Sequence, residues 1–232
     1  MTLRYEFVLF DADNTLFDFD LAEHKAFYKT MKEYGIACSE QTETLYRSLN
    51  QELWTAFNKG MGLPQEKLVI KRFSLLLEAL KTEGDPAELN RAYLANLGAQ
   101  AILLPGALEL CRRVSPFCTL AIVTNGVPSV QHGRFDGCPL ASYFTRLFIS
   151  GEMGCQKPQR AFFDRVCEEL GIHDRRRAVV VGDNLSSDIM GGINAGIDTI
   201  WYNPFGSAND PEIWPTWEAH SYEAVEAILL PA

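Results

Sequence analysis

A run of four apolar residues, Phe7-Val8-Leu9-Phe10, breaks at once into Asp11-Ala12-Asp13-Asn14-Thr15. Four residues are too few for a helix. An unbroken apolar run of that length predicts a strand buried on both faces, and therefore a parallel sheet with helices on either side. In open α/β sheets ligands bind beyond the carboxyl ends of the strands, so Asp11 and Asp13 stand where chemistry is expected. The same residues also admit a plainer reading, an Asx turn followed by a helix that Thr15 caps.

The rest of the 232-residue chain shows what surrounds that strand. From Phe17 to about Gln100, apolar residues recur at helical spacing, as in Phe27, Met31 and Tyr34 and again in Leu45, Leu49, Leu53, Trp54 and Phe57. Breaks at Gly35, at Gly60-Met61-Gly62-Leu63-Pro64 and at Gly84-Asp85-Pro86 divide the stretch into four helices. Residues 17–100 are thus expected to be an inserted helical cap, and residues 1–16 with 101–232 the α/β core.

Within that core, strands are expected at 120–123, 147–149, 178–181, 198–202 and 216–219. Helices are expected near 106–114, 128–137, from Pro158 to about 170, near 187–195, and after a Ser221 cap. Pro158 is placed at a helix's first position, which would turn the positive end of that helix and the Lys157 ammonium toward one anion. Three strands then end in Asp11 with Asp13, in Thr124-Asn125-Gly126 and in Gly182-Asp183, and Lys157 lies on a neighbouring loop. Neighbouring strands would bring these groups to one crevice. Read singly, each has an ordinary alternative: a turn at Thr124, a solvated lysine at Lys157, a helix start at Asp183 and Asp188. Gly191, Gly192 and Gly196 suggest a dinucleotide fingerprint, but they lie in and after a helix rather than between strand and helix.

Composition excludes several classes. A formal net charge of −9 disfavours a nucleic acid polymer as partner. It also means that an anionic substrate needs local positive charge. No apolar run is long enough to span a bilayer, and Met1 to Tyr5 leave no room for a signal peptide, so a cytoplasmic protein without membrane contact is expected. The six cysteines form no CxxC pair and read as free, mostly buried thiols, and the four histidines lack zinc spacing. No signal fixes an oligomeric state.

Taken in order, Asp11-x-Asp13-x-Thr15, Thr124-Asn125, Lys157-Pro158 and Gly182-Asp183 with Asp188 resemble the four motifs of the haloacid dehalogenase superfamily of phosphohydrolases. Further stretches look like its bacterial 5'-nucleotidase subgroup, which acts on pyrimidine and non-standard nucleoside monophosphates. These are Leu53-Trp54 with Phe57, Arg72-Phe73, Gly154-x-Gln156-Lys157-Pro158, Gly182-Asp183-Asn184-Leu185-x-x-Asp188-Ile189 and Thr199-x-Trp201-x-Asn203-Pro204. The chain departs from the subgroup at 151–156, where a Gly replaces the usual acid.

The resemblance implies a Rossmann-like core with the helical insertion as a C1 cap. It implies Mg²⁺ held by the Asp11 carboxylate, the Asp13 backbone carbonyl and Asp183, with Asp188 supporting that shell. Asp11 would be the nucleophile and Asp13 the general acid and base, while Thr124, Asn125 and Lys157 would hold the phosphate. The substrate class is a small phosphate monoester, most specifically a pyrimidine nucleoside monophosphate. Phe17, Phe19, Trp54, Phe57 and Phe73 are mostly expected in the cap's core, with one or two available to stack on a base. The alternatives are a broad sugar-phosphate phosphatase, a dehalogenase, a phospho-receiver module and a catalytically silent binding protein. A dehalogenase has no need of an acid at Asp13, and a receiver has no need of a helical insertion.

Overall fold

The computed structural model describes residues 4–230. Six parallel strands, β1 (Phe7–Phe10), β2 (Thr119–Thr124), β3 (Phe144–Ile149), β4 (Ala178–Gly182), β5 (Asp198–Tyr202) and β6 (Trp217–Ala219), form one sheet in the order β3-β2-β1-β4-β5-β6. Side chains alternate across a strand, so each central strand feeds two cores. On one face lie Val8, Phe10, Leu120, Ile122, Val179, Val181 and Ile200, covered by α5 (Ala107–Val114) and α10 (Tyr222–Leu229). On the other lie Leu9, Ala121, Val123, Ala178 and Val180, under α8 (Arg160–Leu170) and α9 (Met190–Ala195). This is the both-faces burial that an unbroken apolar run demands.

The chain separates into two compact units, residues 1–18, 103–128 and 135–232 in one, and residues 19–102 with 129–134 in the other. The second is helical: α1 (Phe19–Glu33), α2 (Glu40–Asn58), α3 (Gln65–Leu80) and α4 (Pro86–Gly98). Its starts are set locally. Ser39 and Thr42 cap α2 reciprocally, and the Asp85 carboxylate accepts the Ala87 amide ahead of Pro86 at the first position of α4. Phe27, Tyr46, Phe73 and Tyr93 pack ring to ring inside. Among them lies buried Arg72, 4.6 Å from the Tyr93 centroid, donating to Asn50 Oδ1 at 3.1 Å, Asn90 Oδ1 at 3.0 Å and the Val69 carbonyl. Phe57 and Phe73 are therefore core residues, while Trp54 and Phe19 are half-buried.

Four expectations need correction. Phe17 does not belong to the helical unit: it is fully buried in the sheet's core, edge-on to Phe135. The helix α6 (Pro128–Phe135) gives residues 129–134 to the helical unit, because Gly133 has no side chain to keep it off the Gly98 backbone; a Cβ there would meet the Gly98 carbonyl oxygen at 3.0 Å. β3 begins three residues early, at Phe144, and its first half carries two successive exposed residues, Thr145 and Arg146, at the sheet edge, where the pairing with β2 shifts register between Leu120 and Ala121. α8 opens at Arg160 behind Gln159, so Pro158 is not its first residue but lies in a turn closed by the Gln159 amide on the Gln156 carbonyl at 2.8 Å.

Of the glycines compared with a nucleotide fingerprint, Gly191 and Gly192 serve packing, and Gly196, at φ 68°, ends α9. A Cβ on Gly192 would collide with Thr199 Cγ2, and Thr199 cannot turn aside because its hydroxyl accepts the Thr216 amide at 3.0 Å. Gly192→Ala is expected to lower the unfolding free energy by about 1–3 kcal/mol despite alanine's better helix propensity, measured by urea denaturation. A gain in stability would show that β5 yields where its hydrogen bonds say it cannot.

Candidate active site

Asp11 is the first residue beyond β1, and its amide donates to the Val181 carbonyl at 2.8 Å. β1 pairs with β2 on one side and β4 on the other, so Asp11 lies at the point where strand order reverses. The chain then turns tightly. The Leu16 and Phe17 amides both reach the Ala12 carbonyl, the Asn14 amide reaches Phe17, and Asn14 takes φ 57°, a left-handed conformation that asparagine tolerates. Asp13 sits half-buried on this turn. No helix follows at Thr15, because α1 starts only at Phe19. Rather than capping a helix, the Thr15 hydroxyl accepts the Asp183 amide at 3.1 Å and approaches Asp183 Oδ1 at 3.4 Å, tying the ends of β1 and β4 together.

Lys157 is 1% exposed. Its ammonium donates to Asp11 Oδ1 at 2.6 Å, Asp188 Oδ1 at 2.6 Å and the Val123 carbonyl at 2.7 Å, which accounts for all three of its protons. Asn125 puts it there: the carboxamide oxygen accepts the Lys157 amide at 3.0 Å and the carboxamide nitrogen donates to the Lys157 carbonyl at 2.8 Å. The Lys157–Pro158 peptide within this grip is cis. Beside it, buried Thr124 accepts the Gly126 amide at 3.0 Å, which is the turn its ordinary alternative described, placed at the end of β2 next to Asp11.

Asp188 lies in a π-helical turn, Leu185–Ile189, that precedes α9. The sequence shows one helix here; the wider turn is what carries a buried carboxylate back beneath the strand end. Asp188 Oδ2 accepts the Asn184 amide at 3.1 Å, so both of its oxygens are engaged. Asn184 in turn accepts the Ser186 and Ser187 amides at 3.0 Å. Gly182 permits this approach, since a Cβ there would collide with the Asp188 carboxylate.

Asp11, Asp183 and Asp188 each offer a carboxylate oxygen, and the three oxygens lie within 4.8 Å of one another. Burial comes first, and with repulsion from Asp188 and Asp13 it outweighs the pull of Lys157, so the Asp11 carboxyl is pushed up to about 7. Burial, then repulsion from Asp11 and Asp188, raises half-buried Asp183 well above the ordinary carboxylate range. Burial opposes the charge on Lys157, yet Asp11 and Asp188 hold its ammonium above the usual lysine range. A site built only of hard oxygens, with more negative charge than one ammonium balances, suits Mg²⁺. With both oxygens of Asp188 engaged by Lys157 and the Asn184 amide, Asp11 and Asp183 are the carboxylates that could hold such a cation.

Among the described residues, no helix is long and apolar enough to cross a membrane. The cysteines are free thiols, four of them buried.

Residues 5–196 match the family model of the haloacid dehalogenase-like hydrolases. Pyrimidine 5'-nucleotidase PynA of Streptococcus pneumoniae is 36% identical over 94% of this chain and 92% of its own. Pyrimidine 5'-nucleotidase YjjG of Escherichia coli is 33% identical over 98% and 99%. The magnesium-bound crystal structure of HAD-hydrolase YfnB of Bacillus subtilis superposes with a TM-score of 0.92 at 36% identity, over 98% of this chain and 99% of that one.

Because Lys157 compensates two buried carboxylates, Lys157→Met is expected to destabilise the metal-free protein by about 3–5 kcal/mol at pH 7.5. The loss should shrink toward pH 5: Asp11 titrates from about 7 in the folded state, so at lower pH it is neutral and no longer needs the ammonium. Urea melts at the two pH values measure both quantities.

Proposed function

The chain belongs to the haloacid dehalogenase-like hydrolases, and on that premise we propose that it is a Mg²⁺-dependent phosphomonoesterase acting on pyrimidine nucleoside 5'-monophosphates through an aspartyl-phosphate on Asp11. The observation that carries this reading is the contact of Lys157 with both Asp11 and Asp188 at the end of the central strand. A carboxylate beside a fixed cation, where ligands of such sheets bind, supports the role of Asp11 as nucleophile.

Phosphate monoesters hydrolyse extremely slowly unaided, so positioning, charge neutralisation and a nucleophile must all come from the site. An Asp11 oxygen attacks phosphorus as the ester oxygen departs, and Asp13 gives that leaving alkoxide its proton. Asp13, now a carboxylate, takes a proton from water, and the resulting hydroxide displaces Asp11 from phosphorus to release inorganic phosphate. The fixed charge of Lys157, whose protons are engaged by Asp11, Asp188 and the Val123 carbonyl, would attract the non-bridging oxygens, and Thr124 and Asn125 would hold them, with Asn125 acting also through its grip on the Lys157 backbone. Asp11, the Asp13 carbonyl and Asp183 would hold Mg²⁺, which when bound neutralises charge on the transferring phosphoryl group. The acidic Asp13 supports phosphoryl transfer over halide displacement, which has no alkoxide to protonate.

The nucleotide preference draws on the two nucleotidases of near-equal length. A broad sugar-phosphate phosphatase is the competing outcome. Asp11→Asn is expected to abolish turnover and leave no trappable phosphoenzyme, whereas Asp13→Asn slows turnover by roughly 10²- to 10⁴-fold. Full activity in Asp11→Asn would exclude covalent catalysis. Chelation should remove activity and Mg²⁺ restore it, with Ca²⁺ a poor substitute because its looser coordination misplaces the reacting oxygens. Side-by-side kcat/KM values for deoxyuridylate, thymidylate and hexose phosphates decide the substrate: a preference for the sugars of about tenfold, or 1.4 kcal/mol, would overturn the nucleotidase assignment.

A further inference from the structure

We infer that Trp201 and Tyr222 are positioning residues for the metal site, fastening the backbone of Asp183 from opposite sides so that its carboxylate is held where the cation binds. The inference rests on the reading above that Asp183 is a metal ligand.

The sheet itself does not hold Asp183. The ladder between β4 and β5 ends at Gly182 opposite Trp201, and Asp183 is the first residue beyond it. Its peptide groups are bonded to side chains instead. The Trp201 indole N–H donates to the Asp183 carbonyl at 2.8 Å. On the other side the Asp183 amide donates to the Thr15 hydroxyl at 3.1 Å, and the Thr15 carbonyl in turn accepts the Tyr222 hydroxyl at 2.8 Å.

Each brace is itself well fixed. Trp201 is 3% exposed and packs with Ile189 and Ile213, with Leu185 and Met190 against the same cluster. In that hydrocarbon setting an indole has one polar atom, a donor, and it is spent on the carbonyl of a ligand residue. Phenylalanine would fill much of the same space, so the N–H is what distinguishes tryptophan here. The Tyr222 ring is stacked on Tyr202 with centroids 4.8 Å apart and planes 5° from parallel. A ligand carboxylate is only as well placed as its own backbone, and partners one shell out from a metal commonly govern affinity by 10- to 100-fold.

The test measures Mn²⁺ binding by electron paramagnetic resonance on the full-length protein, without reference to turnover, together with thermal melts in chelator. Trp201→Phe is expected to weaken Mn²⁺ affinity by about tenfold or more. Tyr222→Phe, which acts one bond further away, should weaken it by about threefold. Trp217→Phe is the matched control. Its indole donates to the Tyr5 hydroxyl at 3.0 Å at the amino end of the sheet, so its affinity should stay within about twofold of the native protein even if its melting point falls. Asp183→Asn should abolish binding.

Native affinity in Trp201→Phe, with Asp183→Asn inactive in binding, overturns the positioning role and leaves the metal assignment standing. Native affinity in Asp183→Asn overturns that assignment and the inference with it. Equal losses in Trp201→Phe and Trp217→Phe mean a general loosening of the fold and overturn the specific role. Should Trp201→Phe fail to fold, Tyr222→Phe decides, and an unchanged affinity there is the overturning result.

Discussion

Lys157 lies almost fully buried between Asp11 and Asp188, and an ammonium taken that far from water costs several kcal/mol unless every proton finds an acceptor. All three do, and much of the local architecture exists to keep it so. The Val123 carbonyl is available because Lys157 approaches the upper end of β2; Asp188 is available because a π turn folds beneath a glycine; Asn125 grips the lysine backbone from the neighbouring loop. Four separate segments therefore meet at one cation. A buried pair of this kind is weak evidence for stability, since apolar side chains of similar volume commonly serve as well. Its presence here is better understood as fixing the geometry of the carboxylates at the strand ends.

The parts of the fold that were legible in the sequence are those written in apolar periodicity. β1, β2 and β4 are built on continuous apolar runs and β5 on Ile200-Trp201-Tyr202, and the four helices of the helical unit are bounded by glycine, proline and capping residues whose local physics needs no tertiary information. The acids at the strand ends were legible for the same reason: charge following a buried run stands out. What escaped depends on contacts between distant residues. β3's first half reads as a loop because an edge strand tolerates exposed polar residues, here Thr145 and Arg146 in succession, and the transfer of 129–134 to the helical unit hinges on two glycines, Gly98 and Gly133, whose meeting no window of sequence contains. Thr15 looked like a cap since a hydroxyl before a helical stretch usually is one; its partner, Asp183, is 168 positions away. Trp201 stood in plain view inside a motif, yet nothing local says that its N–H has a carbonyl to meet.

The helical unit follows a different logic from the sheet. Its interior is not purely apolar: Arg72 is clasped by two asparagines and surrounded by aromatic rings, and Asn50 passes the connection on to Glu23 at 3.0 Å. Burial raises the Glu23 carboxyl while Arg47 and Arg72 pull against that rise. Such a network gives little net energy but penalises misregistered packings heavily, because each would leave a buried amide or guanidinium without its partner. In a unit made of only four principal helices with similar apolar stripes, that discrimination specifies one arrangement among several of comparable hydrophobic burial.

The placement of β1 has a temporal side. It is the first strand in the chain and the middle of the sheet, yet its two partners lie roughly 110 and 170 residues further on. At ribosomal speeds of about 5–20 residues per second, roughly ten to thirty seconds separate its synthesis from that of β4. Until β2 is made, about 110 residues on, the apolar run Phe7-Val8-Leu9-Phe10 has no strand to pair with, whereas α1 to α4 already have one another. Cells making this protein thus carry a nascent chain in which α1 to α4 are complete while its most hydrophobic strand still waits, which makes the residues of that strand natural clients for whatever shields emerging polypeptides.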